Sequence, residues 1–251
     1  MTTRTLLSLG DTSIPHILIE EKDFLIVYKP PGMHSAPLPH SVEDGSIAAW
    51  CTERFPETAA LSGRQAGEGG LLHRLDYETQ GLLLVARTQV GMDYFLAQQK
   101  EGRILKEYSA LAAKRKQRLP GFPPFEFVPC KNHGEKIQSA FRPYGPGRKA
   151  VRPVITSNEI ASDTTAYTTE ILETHPRACG IIAFRLRIVR GFRHQIRSHL
   201  AWLGTPILND NLYGGTPCDD GFLALRSCSL SFTDPASGKE QCFEISPLER
   251  E

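Results

Sequence analysis

The sequence predicts an α+β protein: a largely antiparallel mixed sheet core with few, short helices. Three observations carry this. Short runs of β-branched and apolar residues bounded by Gly, Pro and Asp recur along the whole chain. Only three stretches keep a helical period. No internal repeat and no shift in composition marks a linker within the 251 residues, a length that buries a core without disulfides or metal.

The elements follow in order. "ILIEEKDFLIVYKPPG" (17–32) predicts two strands around Lys22-Asp23, stopped by Pro30-Pro31-Gly32. The residues before Ile17 read as an N-terminal tail (1–16), and 17–251 as one domain with no separate N-terminal module. Ser46 to Phe55 suits a short helix. A glycine-rich loop (63–70) feeds "LLHRLDYETQGLLLVART" (71–88), in which Leu82 to Ala86 is an apolar strand buried on both faces. Thr88 caps a helix from Gln89 to Lys100, with Val90, Tyr94, Phe95 and Leu96 on its apolar positions. A strand spans 104–113. The basic, proline-rich stretch 114–136 reads as a surface insertion. Strands follow near 166–172 and 181–189, then a short helix ending at Gly204. "FLALRSCSLSF" and "QCFEI" close the chain as a β pair.

Composition narrows the function. With 40% apolar and 23% charged residues the chain is an ordinary globular protein. No run of about 18 apolar residues marks a membrane span, and "MTTRTLLSLGDTSIPHIL" is a poor secretory signal, so a cytoplasmic location and no membrane partner are expected. Six scattered cysteines without a CxxC pair, and histidines 194 and 199 five apart, predict reduced thiols and no metal. Net charge is only +1, yet residues 101–200 hold 18 Lys/Arg against 8 Asp/Glu, and the remainder holds 11 against 20. That asymmetry predicts a polyanion-binding face. Its two basic runs are Arg103-Lys106-Lys114-Arg115-Lys116-Arg118 and Arg185-Arg187-Arg190-Arg193-Arg197.

Three segments carry chemistry: His73-Arg74-Leu75-Asp76 with Thr79 and Gly81, Lys106-Glu107-Tyr108, and Gly191 to Ile207. A carboxylate that faces a cation stays ionised at neutral pH. It can then attack an electrophilic sugar or pyrimidine carbon. A nearby tyrosine can stack on a base or move a proton, and Arg74 and Lys106 suit phosphates. The residues alone reach no further than a carboxylate–tyrosine–arginine site on an anion-binding face.

The order "KPPGMHSAP", "LLHRLDYETQGLLLVART", "LKEYSAL" and "RHQIRSHLAWLGTPILNDNLYG" resembles the RluA-type family of RNA pseudouridine synthases, from about Ile17 to Tyr213 and more loosely beyond. The resemblance implies a pseudouridine synthase-like core, no cofactor, and a structured RNA (rRNA or tRNA) as partner; the protein is expected to act as a monomer. It implies that Asp76 is the nucleophile and that Arg74 helps push the uridine from the stack. Tyr108 would pack on the flipped uracil, and Arg197 would pair with Asp76. RNA contacts are expected from Arg74, Lys106, Arg193, His194, Lys114, Arg115 and Lys116. His73, His194 and His199 read as structural hydrogen-bonders more than as catalytic bases.

Two positions depart from the family. Gln80 stands where Ser is common, and Phe192-Arg193 where Arg-Thr/Ser is common; these put the RNA contacts of the third segment in doubt more than the chemistry. Two alternatives remain: an inactive RNA-binding relative, and a glycoside hydrolase using Asp76 and Glu78 as its carboxylate pair.

Overall fold

Apolar runs and their punctuation set the order of elements in the computed structural model, which describes residues 2–38, 45–63, 65, 67–124, 134–155, 165–218 and 221–249. The chain runs β1 (Thr3–Leu6), β2 (His16–Glu20), β3 (Phe24–Lys29), α1 (Ile47–Arg54), β4 (Gln80–Ala86), α2 (Gln89–Lys100) and β5 (Leu105–Ala113). It continues through β6 (Glu135–Tyr144), β7 (Ala150–Val154), β8 (Tyr167–Pro176), β9 (Ile181–Ile188), α3 (Gln195–Trp202), β10 (Leu225–Thr233) and β11 (Glu240–Glu244). Two compact units result: Met1–Lys106 with Arg226–Pro247, and Glu107–Leu225 with Leu248–Glu251.

In the first unit β2, β3 and β4 pair antiparallel, β4 pairs parallel with β10, and β11 lies antiparallel to β10. Every residue of β3 and β4 is buried, as their unbroken apolar runs require. On one face Phe24, Ile26 and Tyr28 meet Leu82, Leu84 and Ala86, joined by Met92 and Phe95 of α2 and by Phe232 and Phe243. Fully burying each such side chain stabilises by about 1.5–3 kcal/mol. Ser46 caps α1 and Thr88 caps α2, each accepting a backbone N–H three residues on.

The second unit orders its strands β5-β9-β8-β6-β7, with β9–β8, β8–β6 and β6–β7 antiparallel. In β9 the period of two is strict: Ile182, Phe184, Leu186 and Ile188 are buried, and Arg185 and Arg187 face outward. Helix α3 is buried along its whole length.

The α+β class and the mixed, mostly antiparallel pairing match the expectation. Several elements differ. The stretch read as a tail carries β1, held parallel to β11 by backbone pairing that no side-chain pattern announces. β6 and β7 were not anticipated, because Pro143 and Pro153 and the charges of "EKIQSAFRPY" and "AVRPV" mask their alternation. Val90 is 75% exposed; the buried face of α2 is Gly91, Met92, Phe95 and Gln98. Gly91 sets that phase, since a Cβ there would come within 2.6 Å of the Asp23 carbonyl oxygen. The five described cysteines are free thiols, and burial pushes Cys51 up to about 12. Cys130, residues 125–133 of the expected insertion, and residues 64 and 66 of the glycine-rich loop lie outside the described residues. No described helix is long and apolar enough to cross a membrane.

Candidate active site

Asp76 opens a tight turn, its carbonyl accepting the Thr79 N–H at 3.1 Å. The residues on either side of it are fastened to the segment that follows β3. The Ser35 hydroxyl accepts from the Leu75 N–H at 2.9 Å and donates to the Leu75 carbonyl at 2.8 Å. The Tyr77 carbonyl accepts from the Gly32 N–H at 2.9 Å and from Lys29 Nζ at 3.1 Å. Pro30-Pro31 supplies no N–H to extend β3, and Gly32 turns the chain at φ 75°. The result is a half-buried carboxylate on a backbone pinned on both sides.

Beneath this turn lies Lys29, fully buried, which also donates to the Pro30 and Met33 carbonyls at 2.9 and 2.6 Å. Three carbonyls thus satisfy its three protons. Burial lowers its pKa to about 7, and the Asp76 and Glu78 carboxylates oppose that fall. No sequence pattern singles out this lysine, which ties the end of β3 to the Asp76 turn through the Tyr77 carbonyl.

Around the turn each side chain has work that the sequence only partly announced. Arg74, 58% exposed at its side chain, pairs at 3.0 Å with Glu68, whose own side chain is 8% exposed. The glycine-rich loop therefore anchors the arginine expected to meet RNA. His73 Nε2 accepts the Leu84 N–H at 3.2 Å, which fits a structural role. Gln80, the first departure, is buried and accepts from Tyr28 Oη at 2.8 Å and Arg226 Nη2 at 2.9 Å. Gly81 follows at φ 119°, where any Cβ would strike the Ser227 backbone across the β4–β10 pair.

In the second unit Tyr108 is 5% exposed on β5. Arg197 and Asp210 form a buried fork, Nε to Oδ2 and Nη2 to Oδ1, both 2.8 Å. Asp210 was not singled out from the sequence; its only signal was an acid thirteen residues beyond the arginine. His199 is wholly buried between the Ser139 and Thr169 hydroxyls at 3.0 and 2.8 Å, and burial lowers its pKa to about 3. Gln195 Nε2 reaches the Thr168 carbonyl and Thr169 Oγ1, and Ser198 donates to the Val151 carbonyl. A helix polar on several faces is buried here because each polar group has a partner.

The expected RNA contacts separate into groups. Lys114, Arg115 and Lys116 are exposed. Lys106 is 5% exposed, so it does not present itself to a solvated phosphate. Arg193 donates to the Arg148 and Ala150 carbonyls at 3.0 and 3.3 Å. His194, left-handed at φ 54°, precedes α3 with Nδ1 3.3 Å from Tyr213 Oη. Phe192, the second departure, stacks on Phe141 at 5.0 Å and 7° and lies against Tyr167. Arg185 and Arg187 both pair with Glu107, at 2.8 and 2.7 Å. No cluster of three metal-ligating side chains occurs among the described residues.

Comparison with known proteins identifies the family. The family model described as RNA pseudouridylate synthase matches residues 23–202. The chain belongs to that family and to its RluA-type branch. It is 29% identical to an uncharacterized RNA pseudouridine synthase of Bacillus subtilis (strain 168), covering 90% of this chain and 70% of that protein. To ribosomal large subunit pseudouridine synthase D of Escherichia coli (strain K12) it is 28% identical, over 89% of this chain and 64% of the relative. The structure of human RNA pseudouridylate synthase domain containing 1 superposes with a TM-score of 0.63 at 20% identity, covering 97% of this chain and 86% of that one. The chain spans between about half and 70% of the length of the curated relatives named D and of the Bacillus protein.

Proposed function

We propose that the protein isomerises uridine to pseudouridine in structured RNA, with ribosomal RNA the favoured substrate and transfer RNA the second. The observation that carries this is Asp76: a half-buried carboxylate on a turn fastened by Ser35, Gly32 and Lys29. Such a seat fixes a nucleophile in one geometry before substrate arrives. The family match supports the reaction, and relatives named for the ribosomal large subunit support the substrate class. Neither supports a glycoside hydrolase or an inactive relative.

The reaction breaks the bond between uracil N1 and the sugar, turns the base, and joins its C5 to the same sugar carbon. Nothing leaves except the C5 proton, which N1 regains from solvent or a side chain, so the balance needs no cofactor. Asp76 serves by adding to the sugar carbon, by adding to C6 of the base, or by assisting loss of a glycal. Extruding the base costs a few kcal/mol, which favours loops, bulges and distorted stems. Tyr108 packs on the extruded uracil and takes part in proton movement. Arg197 takes part in the reaction with its guanidinium oriented by the fork to Asp210. Arg74, held by Glu68, helps push the uridine from the stack, and Lys114 to Lys116 engage phosphates.

The test is release of tritium to water from RNA labelled at uridine C5. Wild-type protein incubated with unmodified ribosomal and transfer RNA is expected to release label from ribosomal RNA first. Release from neither would overturn the reading, and release from transfer RNA alone would reverse the substrate order.

A further inference from the structure

Two exposed aromatic rings stand out among the described residues, Phe222 at 54% and Tyr77 at 48%, and the second adjoins the candidate nucleophile Asp76. Tyrosine is enriched where an apolar ring and a polar tip meet a partner. The Tyr77 ring lies 4.6 Å from the His34 ring at an interplanar angle of 42°. Both rings stand on fixed backbone. The Tyr77 carbonyl is held by Gly32 and Lys29, and the His34 carbonyl accepts the Ile47 N–H at 2.9 Å. Ser35, next to His34, clamps Leu75. An exposed ring on so rigid a mount loses little freedom when something stacks on it.

We propose that Tyr77, backed by His34, is a stacking subsite for the base of a nucleotide adjacent to the uridine being isomerised. This rests on the reading of Asp76 as the residue that meets that uridine. Consecutive Cα atoms are about 3.8 Å apart, so a ring on Tyr77 is within reach of the nucleotide next to a uridine at Asp76. Extruding a uridine strips its neighbour of a stacking partner, and an aromatic side chain replaces it. Such stacking tolerates any base and carries no charge, so it adds affinity without adding to the salt dependence that phosphate contacts create.

The probe is a hairpin RNA with a single loop uridine and 2-aminopurine on its 5′ or 3′ side, titrated with the full chain. Wild-type protein is expected to change the emission of one of the two probes strongly. Tyr77→Ala should abolish that change and weaken binding by roughly 5- to 150-fold, the span base–aromatic stacking covers, with an unaltered log–log salt slope. Tyr77→Phe should keep both the signal and the affinity. Equal emission change and affinity in wild type and Tyr77→Ala would overturn the proposal, as would a lower melting temperature with unchanged affinity, which marks a packing role. Failure of wild type to bind either hairpin would overturn it too. Tritium release from ribosomal RNA is measured separately, so the catalytic reading stands or falls on its own result.

Discussion

Lys29 shows how one residue ties the seat of Asp76 to the fold. Its ammonium serves the Pro30, Met33 and Tyr77 carbonyls from a fully buried position. The folded chain releases this proton near pH 7, whereas the unfolded chain keeps it to 10.5. Between those values the unfolded state binds more protons, so Lys29 makes stability rise with pH, by up to about 1.4 kcal/mol per unit. Below pH 7 its contribution is flat. Lys29→Met should remove that rise, and urea midpoints at pH 7 and 9 check it; parallel changes in both proteins would contradict the assignment. Gln80→Ala should cost about 1–3 kcal/mol in the same unfolding assay, because the Tyr28 hydroxyl and the Arg226 guanidinium lose a shared acceptor. Asp76 and its motif were legible in the sequence because four contiguous residues specify them. Lys29, Ser35 and Glu68 were not, since their roles come from strands and loops that meet only on folding.

At the scale of elements, local period decided what could be read. β3, β4 and α2 follow from unbroken apolar runs and a capping threonine, and the structure keeps their bounds to within two residues. Helix α3 was legible as a helix but not as a buried one. Its arginine, histidine, serine and glutamine suggest a wet face, yet Asp210, Thr169, Ser139 and Val151 satisfy them from other elements. The two departures from the family's pattern are likewise settled by packing, Gln80 under Tyr28 and Phe192 on Phe141. His199 makes α3 sensitive to acid. It stays neutral when folded down to about pH 3, whereas the unfolded chain takes a proton near 6.5. Stability is complete above pH 6.5 and falls as the pH drops toward 3, again by up to about 1.4 kcal/mol per unit. His199→Asn should flatten that limb in a thermal unfolding series from pH 7 to 4; an unchanged limb would mean another group governs it.

Across the whole molecule the charge asymmetry pointed to a polyanion face, and the structure refines which charges can serve it. Arg185 and Arg187 are matched by Glu107, and Arg187 also meets Glu170 at 3.5 Å. Arg193 is turned to backbone carbonyls. Arg115, Lys116 and Arg118 instead line a pocket whose other walls include Phe122 and Trp202. Neutralising Lys114, Arg115 and Lys116 together should flatten the log–log salt slope of RNA binding by about two, at roughly 0.7–0.9 per phosphate contact. An unchanged slope would mean the run is merely solvated. The central claim, that Asp76 performs the isomerisation, is tested most directly by Asp76→Asn. The amide keeps the size and the pinned backbone but has no anionic lone pair to attack with. Tritium release from C5-labelled ribosomal RNA should fall below about a hundredth of wild type while RNA binding stays within a few fold; turnover above that level, with binding intact, would contradict the account.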